Sequence, residues 1–133
     1  MAILPRGDVH PKPVRWVGTS RKDLRRLPDE VQRKVGGALW DAQVGEKSPF
    51  AKPLKGFGGA GVLEIVDDFD GDAYRAVYTV RLFGVVYVLP ALRKKSKRGI
   101  ATPKAEIETI QQRLKRAKED YEQWTRNVTS LSQ

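Results

Sequence analysis

The dipeptide Asp70-Gly71 stands between two apolar runs, VLEIV from Val62 and AYRAVYTV from Ala73. Asp-Gly tolerates the positive φ that both central residues of a two-residue hairpin turn require, so it predicts adjacent antiparallel strands on either side. A second turn at Phe83-Gly84 leads into VVYVLPAL, which is apolar on both faces. Such a run suits a central strand covered on both sides, with Pro90 limiting it at its end. The second half of the chain therefore reads as an antiparallel meander of three strands.

Before the meander the period is helical. Thr19 or Ser20 can cap a first helix, with Asp23 three residues after Ser20. Pro28 suits the first turn of a second helix, and Asp29 and Glu30 favour its positive end. Val31, Val35, Ala38, Leu39 and Ala42 follow at helical spacing. Gly36 and Gly37 weaken that helix by roughly 1 kcal/mol each relative to Ala, and a Gly pair also permits close packing on a sheet. The two helices read as a hairpin covering one sheet face. Residues 1–13, with three prolines and the single histidine His10, form an irregular arm, and VRWV at Val14–Val17 reads as a short first strand. Gly45–Gly61 is rich in Gly and Pro and reads as a long loop carrying Lys47, Lys52 and Lys55.

After the meander, Thr102-Pro103 is a helix start, with Thr as cap and Pro at the first position. Ile107, Ile110, Leu114, Ala117, Tyr121 and Trp124 continue with alternating spacings of three and four. A helix over 103–126 results, about 30 Å long as far as Trp124. It either runs across its own domain or protrudes in its second half. The order (β)ααβββα predicts a single α+β domain over residues 1–133, an N-terminal helical hairpin on a small antiparallel sheet with a C-terminal helix.

A chain of 133 residues without cysteine excludes disulfides and thiolate metal sites, and suits a reducing, cytoplasmic setting. No signal peptide or membrane span is evident. The 25 Lys and Arg against 16 Asp and Glu leave a net charge of +9, which favours a polyanionic partner, nucleic acid or an acidic protein. No cofactor is implied. Asp67, Asp68, Asp70 and Asp72 do not fit the calcium-loop spacing and read as a polar turn, so no metal ligands are assigned. His10 has no evident triad partner, and GFGGAG at Gly56–Gly61 lacks the lysine of a phosphate loop.

The cations remain. Arg75 sits in mid-strand, on the face shared by Val77 and Thr79. It either pairs with Glu64 at an exposed edge or lines an open positive face with Lys52 and Lys55 from the loop and Arg93, Lys94, Lys95 and Lys97 after the last strand. The run RKKSKR, taken alone, has three readings that sequence physics leaves unresolved: a solvated linker, the usual fate of a charge run, an address signal on a loose match, or a phosphate grip beside the core strand.

Three motifs in order, KPLKGFGGAGVLEI, YRAVYTV and YVLPALRKKSKRGIATPKAEIETIQQRL, resemble the RelE/HigB-like toxins of bacterial toxin–antitoxin pairs, especially their phage-derived HigB-type branch. The resemblance spans roughly Trp16 to Ala117. The chain departs from it at Pro90, where that branch often has His, at Leu92 in place of Phe, and at Val66 in place of Arg. It implies a cytoplasmic toxin that cuts mRNA, often on the ribosome, and is silenced in a hetero-oligomer by a cognate helix-turn-helix antitoxin. The fold also hosts gyrase-inhibiting ParE-like members, and a basic module that binds nucleic acid without cutting it is a third possibility.

For the nuclease, the 2′-OH of RNA is the nucleophile and no metal is needed. Arg75 is expected to clamp the scissile phosphate. Lys55 and Lys94 are expected to transfer protons or stabilise charge, since no usable His is present. Lys52, Arg93, Lys95, Lys97 and Arg98 are expected to hold RNA phosphates. Tyr78 and Tyr87 are expected in the core.

Overall fold

The computed structural model describes residues 10–59, 61–94 and 103–131. Its elements are β1 (Val14–Trp16), α1 (Ser20–Arg25), α2 (Asp29–Gln43), β2 (Ala51–Pro53), β3 (Val62–Phe69), β4 (Asp72–Thr79), β5 (Val86–Arg93) and α3 (Lys104–Leu131). The strands form one five-stranded sheet in the order β1-β5-β4-β3-β2. The predicted hairpin is present, with Phe69 opposite Asp72 and positive φ at both Asp70 (51°) and Gly71 (84°).

Two expectations for the sheet need correction. The sheet is mixed, because β1 runs parallel to β5 while the other neighbours are antiparallel. The predicted loop at 45–61 also contains a strand, β2, whose Lys52 stands opposite Glu64. Only three residues pair there, too few for an alternation signal, and Pro53 disguises them.

Pro90 does not end its strand. β5 continues to Arg93, and the β4–β5 register slips between Ala76, opposite Ala91, and Tyr78, opposite Val88. Two residues of advance on β4 thus match three on β5, a bulge that accommodates a residue with no N–H to donate. The bulge also switches the faces of β5, since paired residues share a face. Beyond it Leu92 stands opposite Arg75, and Arg93 stands opposite Tyr74.

Strand alternation divides the core into two layers. Leu63, Ile65, Tyr74, Ala76, Tyr78, Val86 and Val88 pack with Leu24 of α1 and Val31, Val35, Ala38, Leu39 and Ala42 of α2. Val62, Val77, Tyr87 and Leu89 pack with Ile110, Leu114 and Ala117 of α3. Tyr78 and Tyr87 are core residues as expected. The Tyr78 hydroxyl is buried without a hydrogen-bond partner, whereas that of Tyr87 donates to Asp120 at 2.6 Å.

Gly36 and Gly37 are exposed, and a Cβ on either would meet nothing within 4 Å, so the close approach expected of them is absent. Ser20 is buried and donates its hydroxyl to Val88 O instead of capping α1. Pro28 stands just before the first turn of α2, where its carbonyl accepts from Gln32 N–H and its side chain makes no cap. The expected Thr102 cap and the first nine residues of the arm lie outside the described residues.

Helix α3 crosses its own domain, with Tyr121 and Trp124 still packed against the sheet layer. Polar contacts fix it along its length. Arg113 Nη1 donates to Leu89 O at 2.6 Å, Asp120 accepts from Arg15, and Tyr121 donates its hydroxyl to Phe83 O at 2.9 Å. Among the described residues, no helix is long and apolar enough to cross a membrane.

Candidate functional site

Glu64 on β3 and Arg75 on β4 lie on the α3 side of the sheet. Val66, not Glu64, stands directly opposite Arg75. Glu64 is the diagonal neighbour, about 7–8 Å away between backbones, within reach of two long side chains. Arg75 Nε lies 3.0 Å from Glu64 Oε2. The N–H is not aligned for a hydrogen bond, so the contact is a close ion pair only. Val66 at the directly opposed position leaves no competing cation.

A second carboxylate comes from the first turn of α3. Arg75 Nη1 donates to Glu106 Oε2 at 2.5 Å. On the other side, Lys52 Nζ lies 3.7 Å from Glu64 Oε1. The charges thus alternate as Lys52, Glu64, Arg75 and Glu106 from the sheet edge to the helix. Exposure rises outward from the centre: the side chains are 3% exposed at Arg75, 10% at Glu64, 15% at Glu106 and 68% at Lys52. Arg75 is therefore neither edge-exposed nor lining an open face. It is a buried cation held between two acids, as an ion this far from water must be.

The other predicted residues are only partly brought together. Lys94 follows β5, and its N–H donates to Ala73 O at 2.7 Å, two residues from Arg75 along β4. Arg93 is paired with Tyr74, hence on the face opposite Arg75, and donates to Asp72 at 2.7 Å. Lys55 is exposed beyond Leu54, whose N–H bonds Val62 O, and Val62 is paired with Thr79. Ala73 and Thr79 are six residues apart on one strand, about 20 Å at 3.3 Å per residue. Lys55 and Lys94 therefore sit at opposite ends of β4 rather than around one atom. Lys95, Lys97 and Arg98 lie outside the described residues.

Two residues at this site were not singled out from sequence. Glu106 is the first acid after the basic run and sits at a helix start, where a carboxylate is expected for the dipole alone. Arg81 lies across Gly61 and reaches Gly58, so the glycine-rich loop is the bed of an arginine side chain. Its signal is only an arginine shortly after a strand. Among the described residues, no group of three His, Asp or Glu side chains is placed to hold a metal ion.

Residues 22–115 match the model of the family described as phage-derived protein Gp49-like (DUF891). Among solved structures, a mutant of the Escherichia coli toxin RelE in the free state superposes with a TM-score of 0.52 at 18% identity, covering 80% of this chain and 98% of that one. The toxin–antitoxin complex RelBE2 of Mycobacterium tuberculosis gives a TM-score of 0.43 at 24% identity, covering 64% of this chain and all of that one. No curated protein sequence matches.

Proposed function

This chain belongs to the Gp49-like family of phage-derived proteins, and from that premise we propose that it is the toxin of a toxin–antitoxin pair, a metal-independent endoribonuclease acting on mRNA at the ribosome. A fold shared with RelE supports the reading. The observation that carries it is Arg75, a buried guanidinium whose ion-pair partner on α3 is a carboxylate, Glu106. A phosphate can replace a carboxylate on a guanidinium with the same forked geometry.

In this reading the first turn of α3 lifts Glu106 away, and the scissile phosphate takes its place on Arg75. Glu64 remains behind Arg75 and fixes its orientation. The substrate's 2′-OH attacks the adjacent phosphorus, the P–O5′ bond breaks, and a 2′,3′-cyclic phosphate and a 5′-OH end form. Arg75 stabilises the charge gathered on phosphorus. Lys94, two residues along β4, is the nearer lysine for proton transfer. Lys52 holds a neighbouring phosphate. Lys55, about 20 Å from Lys94 along β4, engages the RNA further on, and Lys95, Lys97 and Arg98 from the run after β5 add positive charge for RNA, whereas Arg93 faces the other side of the sheet.

The partner is a cognate antitoxin with a DNA-binding helix-turn-helix and acidic residues that meet this charge in a cytoplasmic complex.

The test is brief induction in bacteria with transcript 5′ ends mapped genome-wide, for wild type, Lys94→Ala and Glu106→Gln. Cuts inside translated messages, reduced by Lys94→Ala and retained or increased by Glu106→Gln, are expected. Growth arrest with intact messages overturns the nuclease and favours a gyrase-type target. No arrest and no cuts favours a binding module.

A further inference from the structure

A cleft of about 500 Å³ opens at the β1 edge of the sheet, at the far side from β2 and Lys52. Arg15, Arg21 and Arg116 line it, with Trp16, Gly18 and Asp120. Its construction is independent of the Arg75 site.

Asp120 is already committed. It accepts from Arg15 Nε at 2.6 Å, Arg15 Nη2 at 3.1 Å and the Tyr87 hydroxyl at 2.6 Å. That fork fixes Arg15 as one wall. Arg21 and Arg116 are exposed and make no ion pair with any described residue. Arg113 stands behind them, held by Leu89 O and by the Thr19 hydroxyl at 3.3 Å. Gly18, at φ +57°, makes room for the group: a Cβ there would lie 3.3 Å from Arg116 Nη1 and 3.6 Å from Arg113 Nε. Arg15 is matched by Asp120 and Arg113 has Asp23 nearby, so the uncompensated guanidiniums are Arg21 and Arg116, and a bound anion relieves their repulsion.

The charge count selects the anion. Three lining arginines against one lining aspartate leave an excess of two positive charges. A carboxylate supplies one negative charge and a phosphodiester one. A phosphate monoester supplies close to two near neutral pH. Guanidinium forks suit its tetrahedral oxygens, and half-buried Trp16, packed mainly on the α1–α2 layer, borders the cleft at the same sheet edge. We propose that this cleft is a second site that binds the terminal phosphate of a nucleotide, either free or at the 5′ end of an RNA strand. The proposal does not depend on RNA cutting.

Calorimetric titration at low salt with 5′-AMP and with adenosine tests it on the full chain. AMP is expected to bind and adenosine not. Arg21→Ala and Arg116→Ala are each expected to weaken AMP by about tenfold or more, as loss of a charged hydrogen-bonding partner does. Both side chains are exposed, so folding is retained, and Arg33→Ala on the exposed side of α2 is the charge control, with little expected effect. A short oligoribonucleotide with and without a 5′-phosphate separates the sources. A 5′-phosphate preference lost in the two variants assigns the site to RNA ends, and an effect on AMP alone assigns it to free nucleotides. Equal binding of AMP and adenosine, absence of binding by every probe, or AMP affinity unchanged in Arg21→Ala and Arg116→Ala overturns the proposal.

Discussion

Arg75 on β4 and Glu106 on α3, 31 residues apart in the chain, meet at 2.5 Å and tie the first turn of the closing helix to the sheet beneath it. The contact does two things at once. It neutralises a guanidinium that Glu64 alone leaves half-satisfied, and it closes the approach to that guanidinium from the α3 side.

Removing the centre of this network is therefore expected to be costly. Arg75→Ala leaves two largely buried acids without their cation and should destabilise the fold by about 3–5 kcal/mol. Replacing all three with neutral groups, Arg75→Met with Glu64→Gln and Glu106→Gln, should recover most of that loss. Urea unfolding of the single and triple variants checks it. A triple variant no more stable than Arg75→Ala would show that the charges were not the cause.

The hydrogen bond from Arg15, aided by that from Tyr87, holds the Asp120 carboxyl below its ordinary range against the opposing effect of burial. A carboxyl depressed in the folded state stabilises the protein above its unfolded pKa, about 3.9, and that stability is lost as pH falls through the folded value. Asp120→Asn should lower the melting temperature at pH 7, and the difference from wild type should shrink below about pH 4. A pH-independent difference would argue against the linkage.

The two buried tyrosines should respond oppositely to loss of the hydroxyl. Tyr87→Phe loses a bond to Asp120 and should cost about 1 kcal/mol, while Tyr78→Phe removes an unpartnered buried hydroxyl and should be neutral or stabilising by up to about 1 kcal/mol. Burial, with a smaller contribution from Asp41, pushes the Tyr78 hydroxyl up to about 12. The unfolded chain then releases that proton first, so wild-type stability should fall between about pH 10 and 12. Denaturation curves at pH 7 and pH 11 for both variants measure this. Burial and the bond to Asp120 raise Tyr87 as well, so Tyr78→Phe should remove only part of the alkaline loss.

Gly36 and Gly37 occupy exposed helical positions with open space at Cβ. Gly36→Ala and Gly37→Ala should each stabilise by about 1 kcal/mol and raise the melting temperature by a few degrees. Calorimetry checks the shift. A loss of stability would mean that the backbone there needs glycine for a reason other than space.

Local chemistry was enough to determine the meander, the second helix and the closing helix. Asp70-Gly71 sets its own turn through the φ values it permits, and the 3.6-residue period of Val31–Ala42 and Ile110–Trp124 reports which side is buried. The same alternation placed Arg75 with Val77 and sent Tyr78 to the opposite layer. Strand β2 was not legible, because three residues carry no period and their pairing energy comes from β3. The bulge at Pro90 was not legible either. Proline announces a missing donor, but only the β4–β5 register decides whether the strand stops or slips, and that slip turned Arg93 away from Arg75. Above all, sequence determined that a cation stands in mid-strand, and tertiary structure decided its surroundings. Glu106 reaches Arg75 only because α3 folds back across the sheet, and Arg15, Arg21 and Arg116 share a cleft only because β1 inserts parallel beside β5. Contacts between residues 31 or 105 positions apart depend on chain closure, which no local pattern encodes.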